Sequence, residues 1–245
     1  NFVDGAHFDS LGSMQVVSLN LPRAAYVALE SDKEDKFMTA LKYLREQIDN
    51  AVRIFKIKRI YMSKQASPFI KQQVVDPNDP TKKSPVFCDM DKLTYIIGMV
   101  GLNEFVQALT GFQLHESEDA VVMGERLIGS LNLYCGKVGH ENGMSIALAR
   151  TPAETTAQRF AVQDLIKYPK YAKKYVKGNL KEAIKMLPTR RDVPIQYSNG
   201  THLAVDAPVT LDKKIEIEGR FFGVLKGGNI FHVFLDDVVP MLRAS

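Results

Sequence analysis

Hydrophobic residues along this chain follow two spacings, which predict strands in some segments and helices in others. Short apolar runs predict five strands: Met14 to Leu21, Leu93 to Gly101, Met144 to Ala149, Pro194 to Tyr197 and Ile230 to Leu235. Apolar steps of three and four, together with cap signals, predict four helices: Phe37 to Phe55, Asn103 to Leu109, Glu116 to Val138 and one from about Thr155. Strands that alternate with long helices predict an α/β fold.

Composition adds limits to this picture. The chain has 245 residues, 45% of them hydrophobic and 24% charged, which is ordinary for a globular protein. No apolar stretch approaches the roughly 18–20 residues of a membrane span, and the first residues lack the features of a signal peptide. We therefore expect a cytoplasmic protein without membrane contact. Asn1 is not Met and no stop signal closes the end, so we also expect a piece of a larger protein.

Cysteines and basic residues suggest little chemistry by themselves. Cys88 and Cys135 are isolated, so we expect neither a disulfide framework nor a metal site. The stretch Lys167 to Arg191 holds nine Lys or Arg and one acid, and one or two helices are predicted there. Such a stretch can bind an anionic partner or form a solvated face, and the second interpretation is the more common. Three tyrosines within it recur at helical spacing, which favours packing over stacking on bases.

The most informative segment runs from Arg150 to Phe160, where an apolar strand gives way to a helix with small hydroxyl residues at the junction. Free backbone N–H groups and the positive end of the helix dipole meet at such a point, which suits a phosphate group. The hydroxyls of Thr155 and Thr156 can add hydrogen bonds. Ordinary capping of the helix by threonine explains the same pattern without a ligand.

Two further segments place polar residues at strand ends. The turn from Ser198 to His202 brings together Asn, Thr and His around Gly200, at a position where α/β proteins often bind ligands. Asn20 lies within an apolar strand, where it needs a partner: either neighbouring backbone or a polar cavity. No dinucleotide fingerprint, phosphate-binding Walker loop, zinc-protease helix or nucleophile elbow occurs in the sequence.

Taken in order, these segments resemble the C-terminal half of the catalytic domain of class III ribonucleotide reductases, the anaerobic glycyl-radical enzymes. The resemblance covers about Gly12 to Leu235 and rests on five motifs: NLPR, GMVGLNEFVQALTG, TPAETTAQRFA, YSNGTHL and GGNIFHV. It implies that residues 1–245 form part of a ten-stranded α/β barrel.

The resemblance also implies roles for particular residues. Asn20 matches an asparagine that points into the barrel near the ribose, so it is the expected catalytic residue. The junction matches the segment that holds substrate phosphates, which assigns that role to Thr151, Ala153, Glu154, Thr155 and Thr156. The family turn of the Asn-Ser-x-His type matches more loosely, because Gly200 and Thr201 fill its middle; it makes Ser198, Asn199 and His202 further active-site candidates.

In such enzymes a thiyl radical on a finger-loop cysteine removes the 3′ hydrogen of a ribonucleoside triphosphate. The implied partners are that substrate, a radical-SAM activase and a second copy of the chain, whose contact would involve the helix Glu116 to Val138. No nucleic acid is expected. The implied cofactors are a glycyl radical and a structural zinc in the full-length enzyme, with formate or a thiol system as reductant.

Several parts of that machinery are expected outside these 245 residues: the finger-loop cysteine, the radical glycine and the zinc-binding segment. We therefore expect no cofactor within this piece and no turnover by it alone. Two alternatives stay open at this point. One is a separate module that binds a phosphorylated ligand or nucleic acid, and the other is a glycyl-radical enzyme of the formate-lyase type.

Overall fold

The computed structural model of the protein describes residues 12–64, 75–76, 79–83, 93–187 and 193–233. In chain order the strands are β1 (Ser13–Asn20), β2 (Val75–Asp76), β3 (Asp79–Lys83), β4 (Thr94–Val100), β5 (Ser145–Leu148), β6 (Lys177–Gly178) and β7 (Ile195–Gln196). The helices are α1 (Leu21–Glu30), α2 (Lys36–Lys64), α3 (Leu102–Thr110), α4 (Glu118–Glu141), α5 (Glu154–Lys167), α6 (Pro169–Tyr175), α7 (Leu180–Met186) and α8 (Leu211–Gly219).

The core is a parallel sheet with the strand order β1-β4-β5. Every residue of β4 after Thr94 is buried, as expected for a central strand with apolar residues on both faces. Ile97 of β4 lies opposite Val17 of β1 and Leu148 of β5. The parallel sheet between helices confirms the predicted α/β fold class.

The predicted helices are present, with small differences at their ends. The predicted stripe of α2 faces the core, with Phe37, Leu41, Leu44, Ile48 and Phe55 buried. The helix predicted from Glu116 begins two residues later and continues to Glu141. The predicted stop after α3 is also correct, because Gly111 adopts a left-handed conformation with a φ of 86°.

Two helices, α1 and α8, were missing from the sequence prediction. Residue Leu21 was assigned to the strand, whereas the chain turns into α1 directly after Asn20, which caps it, and Pro22 lies in its first turn. An Asn cap followed by proline is a recognised helix start, so this signal was present in the sequence. Helix α8 begins at a Thr210 cap in a mostly polar segment, where an apolar stripe is hard to see.

The predicted strand from Ile230 to Leu235 is wrong over residues 230–233, which have no strand structure; residues 234–235 lie outside the described part. The apolar pattern there reflects ring packing. Phe231 meets Phe222 edge to face at 6.3 Å, and His232 stacks on His202 at 4.8 Å. These rings are held by side-chain contacts and not by a strand ladder.

The basic stretch contains two short helices, α6 and α7, as predicted. Its three tyrosines, Tyr168, Tyr171 and Tyr175, surround the buried ring of Tyr26 at centroid distances of 5.7–6.1 Å. The prediction that they pack within the protein is therefore confirmed. Six of the seven described lysines of the stretch are exposed, and the seventh, Lys177, is half-buried. The stretch is thus largely a solvated face.

Candidate active site

The carboxyl ends of β1, β4 and β5 lie along one edge of the parallel sheet, and the predicted site segments meet there. At the end of β4, Gly101 has a φ of 82°, and a Cβ on it would lie 2.4 Å from Pro22 Cγ. Its N–H donates to the carbonyl of Ser198 at 2.8 Å, and the N–H of Leu102 donates to Gly200 at 3.2 Å. These bonds hold the turn from Ser198 to His202 against the sheet edge.

Strand β5 leads directly into the start of α5, as the sequence predicted. The backbone continues the sheet as far as Ala149, whose N–H donates to Ile97 at 2.9 Å. Ala153 occupies the cap position of α5, and no side chain caps the helix. Capping by threonine is therefore not the explanation for this motif. Glu154 and Thr155 are exposed and Thr156 is half-buried, so the helix start opens to the surface.

Two cavities adjoin these segments. The turn cavity, about 430 Å³, is lined by Ser198, Asn199 and His202 together with other residues. The helix-start cavity, about 470 Å³, is lined by Glu154 and Thr155 among others. The two cavities share three residues of the β6–β7 ribbon: Lys177, Gly178 and Gln196. Four predicted residues, Asn20, Thr151, Ala153 and Thr156, line neither cavity.

Thr151 occupies a tight position behind the helix start. A Cβ on Gly98 of β4 would lie only 2.6 Å from Thr151 Oγ1, so the glycine makes room for this side chain. The Oγ1 atom is buried and has no hydrogen-bond partner among the residues that the structure describes. An unpaired buried hydroxyl is costly, so this position is adapted to a contact that the described residues do not supply.

Asn20 is held by protein groups on both sides of its amide. Oδ1 accepts a bond from the N–H of Arg23 at 3.1 Å, which caps α1, and Nδ2 donates to Asp164 Oδ2 at 2.8 Å. Arg23 Nε also donates to Asp164, at 2.6 Å, and the Tyr197 hydroxyl donates to it at 3.1 Å. Of the two alternatives for Asn20, the bond to neighbouring backbone is present, whereas Asn20 lines neither cavity and its amide joins a buried polar cluster instead.

Asp164 lies at the centre of that cluster with a fully buried side chain. Burial raises the pKa of its carboxyl group, and the Arg23 guanidinium opposes the rise. Tyr197 continues the cluster to the hydroxyl of Tyr26 at 3.2 Å. The result is a chain of hydrogen bonds that joins α1, α5 and the end of β7.

A second buried network surrounds His202. Arg150 Nε donates to His202 Nε2 at 3.1 Å, and His202 Nδ1 lies 3.0 Å from Glu218 Oε2 and also contacts Arg150 Nη2. Arg150 also forms an ion pair with Glu218. Burial holds the pKa of His202 below its usual range, although the Glu218 bond opposes this shift. Both ring nitrogens are thus engaged with protein, which leaves His202 to support the site.

Ser198 binds a buried carboxyl group of α3. Its Oγ donates to Glu104 Oε1 at 2.6 Å, and its backbone N–H donates to the same group at 3.2 Å. Burial raises the pKa of Glu104, and the Ser198 bonds oppose the rise. The side chain of Asn199 is only half-buried, so among the three turn candidates it has the freest access to the turn cavity.

The sequence analysis missed the acidic residues of these networks. Asp164 and Glu104 share one recoverable signal, a charged residue on the apolar stripe of a helix. Glu218 follows the buried Ile217 near the end of α8, a helix that was itself missed. Cys135 is buried in α4, and burial raises the pKa of its thiol to about 12, whereas Cys88 lies outside the described residues.

No group of three or more His, Cys, Asp or Glu side chains in the described part of the chain is arranged to hold a metal ion. Among the described helices, none combines the length and apolarity needed to cross a membrane.

Comparisons with known proteins agree on one family. The profile of anaerobic ribonucleoside-triphosphate reductase matches residues 2–245. The anaerobic ribonucleoside-triphosphate reductase of Enterobacteria phage T4 is 23% identical over 96% of this chain, which spans 35% of that protein. Anaerobic ribonucleotide reductase from Thermotoga maritima, solved with glycerol in the active site, has a TM-score of 0.63 and 18% identity over 96% of this chain and 34% of that chain. The same enzyme in complex with dATP and CTP has a TM-score of 0.62 and 18% identity, over 96% of this chain and 35% of that chain. The profile match, which covers almost the whole chain, shows that this chain belongs to the anaerobic ribonucleoside-triphosphate reductase family.

Proposed function

We propose that this chain supplies the substrate-phosphate site and part of the barrel of an enzyme that reduces ribonucleoside triphosphates to deoxyribonucleoside triphosphates. One observation carries the proposal: α5 begins without a side-chain cap, beside a cavity at the carboxyl edge of a parallel sheet. Ligands of α/β proteins bind at that edge. The chain spans only about a third of its relatives' length, so the activity belongs to the complete protein.

The first turn of α5 has the properties that an anionic ligand requires. Its amides carry the positive end of the helix dipole, and Thr155 adds an exposed hydroxyl. Lys177 lines both cavities, with its Nζ bonded to Gln113 Oε1 at 3.1 Å, and adds positive charge. We assign Ala153 and Glu154 contacts through their backbone only. The side chain of Ala153 has no polar group, and the carboxylate of Glu154 would repel a phosphate group. The Thr151 hydroxyl is buried behind the helix start and outside both cavities, so we assign Thr151 the support of this segment and not a direct contact to phosphate.

The remaining chemistry is proposed for the complete protein. The described sheet would be part of a ten-stranded barrel, with residues 1–245 as one portion of that domain. The finger-loop cysteine, the glycyl radical installed by a radical-SAM activase, the structural zinc and the reductant would act through other segments. Within this chain, Asn20 would orient the ribose by hydrogen bonding, and the turn with Ser198, Asn199 and His202 would shape the neighbouring cavity.

The proposal is tested on the full-length protein. After anaerobic treatment with the activase and formate or a thiol system, we expect deoxyribonucleoside triphosphates to form from ribonucleoside triphosphates. Sedimentation of the same preparation is expected to show a homodimer, since the exposed Val122 and Leu133 fall on one face of α4. A fully activated protein that forms no deoxyribonucleotide would overturn the proposed function, and a monomer would overturn the dimer.

Replacing Thr155 and Thr156 together with valine tests the phosphate site. We expect substrate affinity to fall by about 1.5–3 kcal/mol, because the Thr155 hydroxyl, which lines the helix-start cavity, would lose one hydrogen bond to a charged group. The turnover number at saturating substrate should change much less, since binding and not chemistry is affected. Equilibrium binding of a ribonucleoside triphosphate to the full-length enzyme measures the effect.

Thr39→Val provides a matched control, because Thr39 lies in the first turn of α2 and its hydroxyl donates to the carbonyl of Asp35 just before that helix, at 2.8 Å. Its substitution should leave affinity unchanged. An unchanged affinity in the Thr155/Thr156 variant would remove these hydroxyls from the phosphate site.

A further inference from the structure

The buried carboxylate of Asp164 accepts hydrogen bonds from three parts of the chain at once. Asn20 Nδ2 and the Tyr197 hydroxyl both donate to Oδ2, at 2.8 and 3.1 Å, and Arg23 Nε donates to Oδ1 at 2.6 Å. Asn20 caps α1, Tyr197 follows β7, and Asp164 itself belongs to α5. No sequence motif singled out this residue.

The contacts to Asn20 determine how its amide is oriented. Oδ1 is bound by the Arg23 N–H and Nδ2 by Asp164, so a flipped amide would lose both bonds. One N–H of Nδ2 is left over after the Asp164 bond is made. The carboxylate can only accept when ionised, so it selects the orientation in which Asn20 keeps a donor to offer.

Asp164 also connects Asn20 to the phosphate site through a single rigid element. Glu154 and Asp164 lie on the same helix, ten residues apart, which corresponds to about 15 Å along its axis. The start of α5 and the Asn20 amide are therefore held at a constant separation. The position of the Asn20 amide is thus tied to the same helix whose first turn is the proposed phosphate site.

We propose that Asp164 is a positioning residue, which orients the Asn20 amide and the Tyr197 hydroxyl so that the remaining Asn20 N–H is presented to the ribose end of the substrate. This proposal rests on the proposed function, which gives Asn20 its role. It goes beyond that function because it names Asp164 as the residue that fixes the orientation of the Asn20 amide. A structural ion pair with Arg23 alone would stabilise α1 but would not affect turnover specifically.

The experiment compares four forms of the full-length enzyme: wild type, Asp164→Asn, Asn20→Ala and the double variant. Asp164→Asn keeps the size of the side chain but can pair with either orientation of the Asn20 amide, which leaves only the Arg23 N–H to favour one of them. We expect kcat to fall by about 10- to 100-fold, as small misplacements of a reacting group do. KM for the triphosphate should stay within roughly threefold, because the helix start is intact.

Non-additivity separates positioning from general destabilisation. If Asp164 acts through Asn20, Asp164→Asn should cause little further loss of kcat in the Asn20→Ala background. Asp49→Asn is the matched control, because Asp49 also accepts a tyrosine hydroxyl, that of Tyr134 at 2.9 Å, away from the site. Its kcat should equal that of the wild type. If Asp164→Asn does not fold, the double variant Arg23→Gln/Asp164→Asn replaces the ion pair by two neutral amides. Its kcat is then compared with and without the Asn20→Ala substitution.

The measured kcat values distinguish a failure of the positioning role of Asp164 from a failure of the role proposed for Asn20. The positioning role would be overturned, with the proposed function intact, if Asp164→Asn left kcat unchanged. It would also be overturned if Asp164→Asn lowered kcat by the same factor in the wild type and in the Asn20→Ala variant. Unchanged kcat in Asn20→Ala would overturn the role of Asn20 and that of Asp164 with it. A selective loss of kcat that vanishes without Asn20 supports the positioning role.

Discussion

Replacing Glu218 with alanine is expected to destabilise the protein by about 3–5 kcal/mol, because it leaves the Arg150 charge buried without its partner. The side chain of Arg150 is 1% exposed and that of Glu218 is fully buried. Glu218 also accepts the backbone N–H of Leu203 at 3.1 Å and contacts His202 Nδ1. Although burial raises the pKa of Glu218, the His202 bond and the Arg150 charge outweigh it, so its pKa lies below the usual range.

The effect is measured in the full-length enzyme by urea unfolding, with hydrogen exchange of the turn from Ser198 to Leu203 as a local probe. Glu216→Ala is the control two residues away. Glu216 pairs only with the exposed Lys213, so its loss should cost less than about 1 kcal/mol. Equal stability of the two variants would show that Arg150 finds solvent or another partner, and the turn would not depend on this network.

Replacing Asn20 with alanine is expected to reduce both turnover and stability. Loss of the α1 cap should cost about 0.5–2 kcal/mol. Loss of the oriented amide should lower kcat by about 10²–10³-fold, the range seen when one preorganised hydrogen-bond donor is removed. Steady-state kinetics of the activated full-length enzyme and its thermal unfolding measure the two effects separately.

Asn20→Ser separates these two roles. Serine caps helices about as well as asparagine, but it has no amide N–H for Asp164. We expect the serine variant to recover stability while its kcat stays as low as that of the alanine variant. Recovery of kcat along with stability would mean that Asn20 serves only as a helix cap.

Local patterns predicted the parts of the fold that depend on local physics. The stripe of α2 and the continuous apolar run of β4 each correspond to one buried surface, so their spacing is visible in the sequence. The junction from β5 to α5 was predicted for the same reason, because strand and helix signals meet there. The strand from Ile230 failed since its apolar residues pack as separate rings.

The sequence predicted which segments form the site, but not which side chains meet there. The sequence indicated that Asn20 needed a partner, but its side-chain partner Asp164 is 144 residues away along the chain, and Glu218, which contacts His202, is 16 residues away from it. Glu218 resembles an ordinary helix acid until the fold buries it, and the position of Asp164 on the apolar stripe of α5 indicates burial but not its partners. Which pairs meet is decided by tertiary packing, and no spacing rule contains that information.

The β6–β7 ribbon that forms the common wall of the two cavities is only two residues long on each side. Gly178 has a φ of 105°, and a Cβ there would lie 2.2 Å from the carbonyl oxygen of Pro194. A single methyl group on Gly178 would thus force strands β6 and β7 apart and join the turn cavity to the helix-start cavity. The partition between the helix-start cavity and the turn cavity depends on a missing side chain, so this glycine tolerates no replacement.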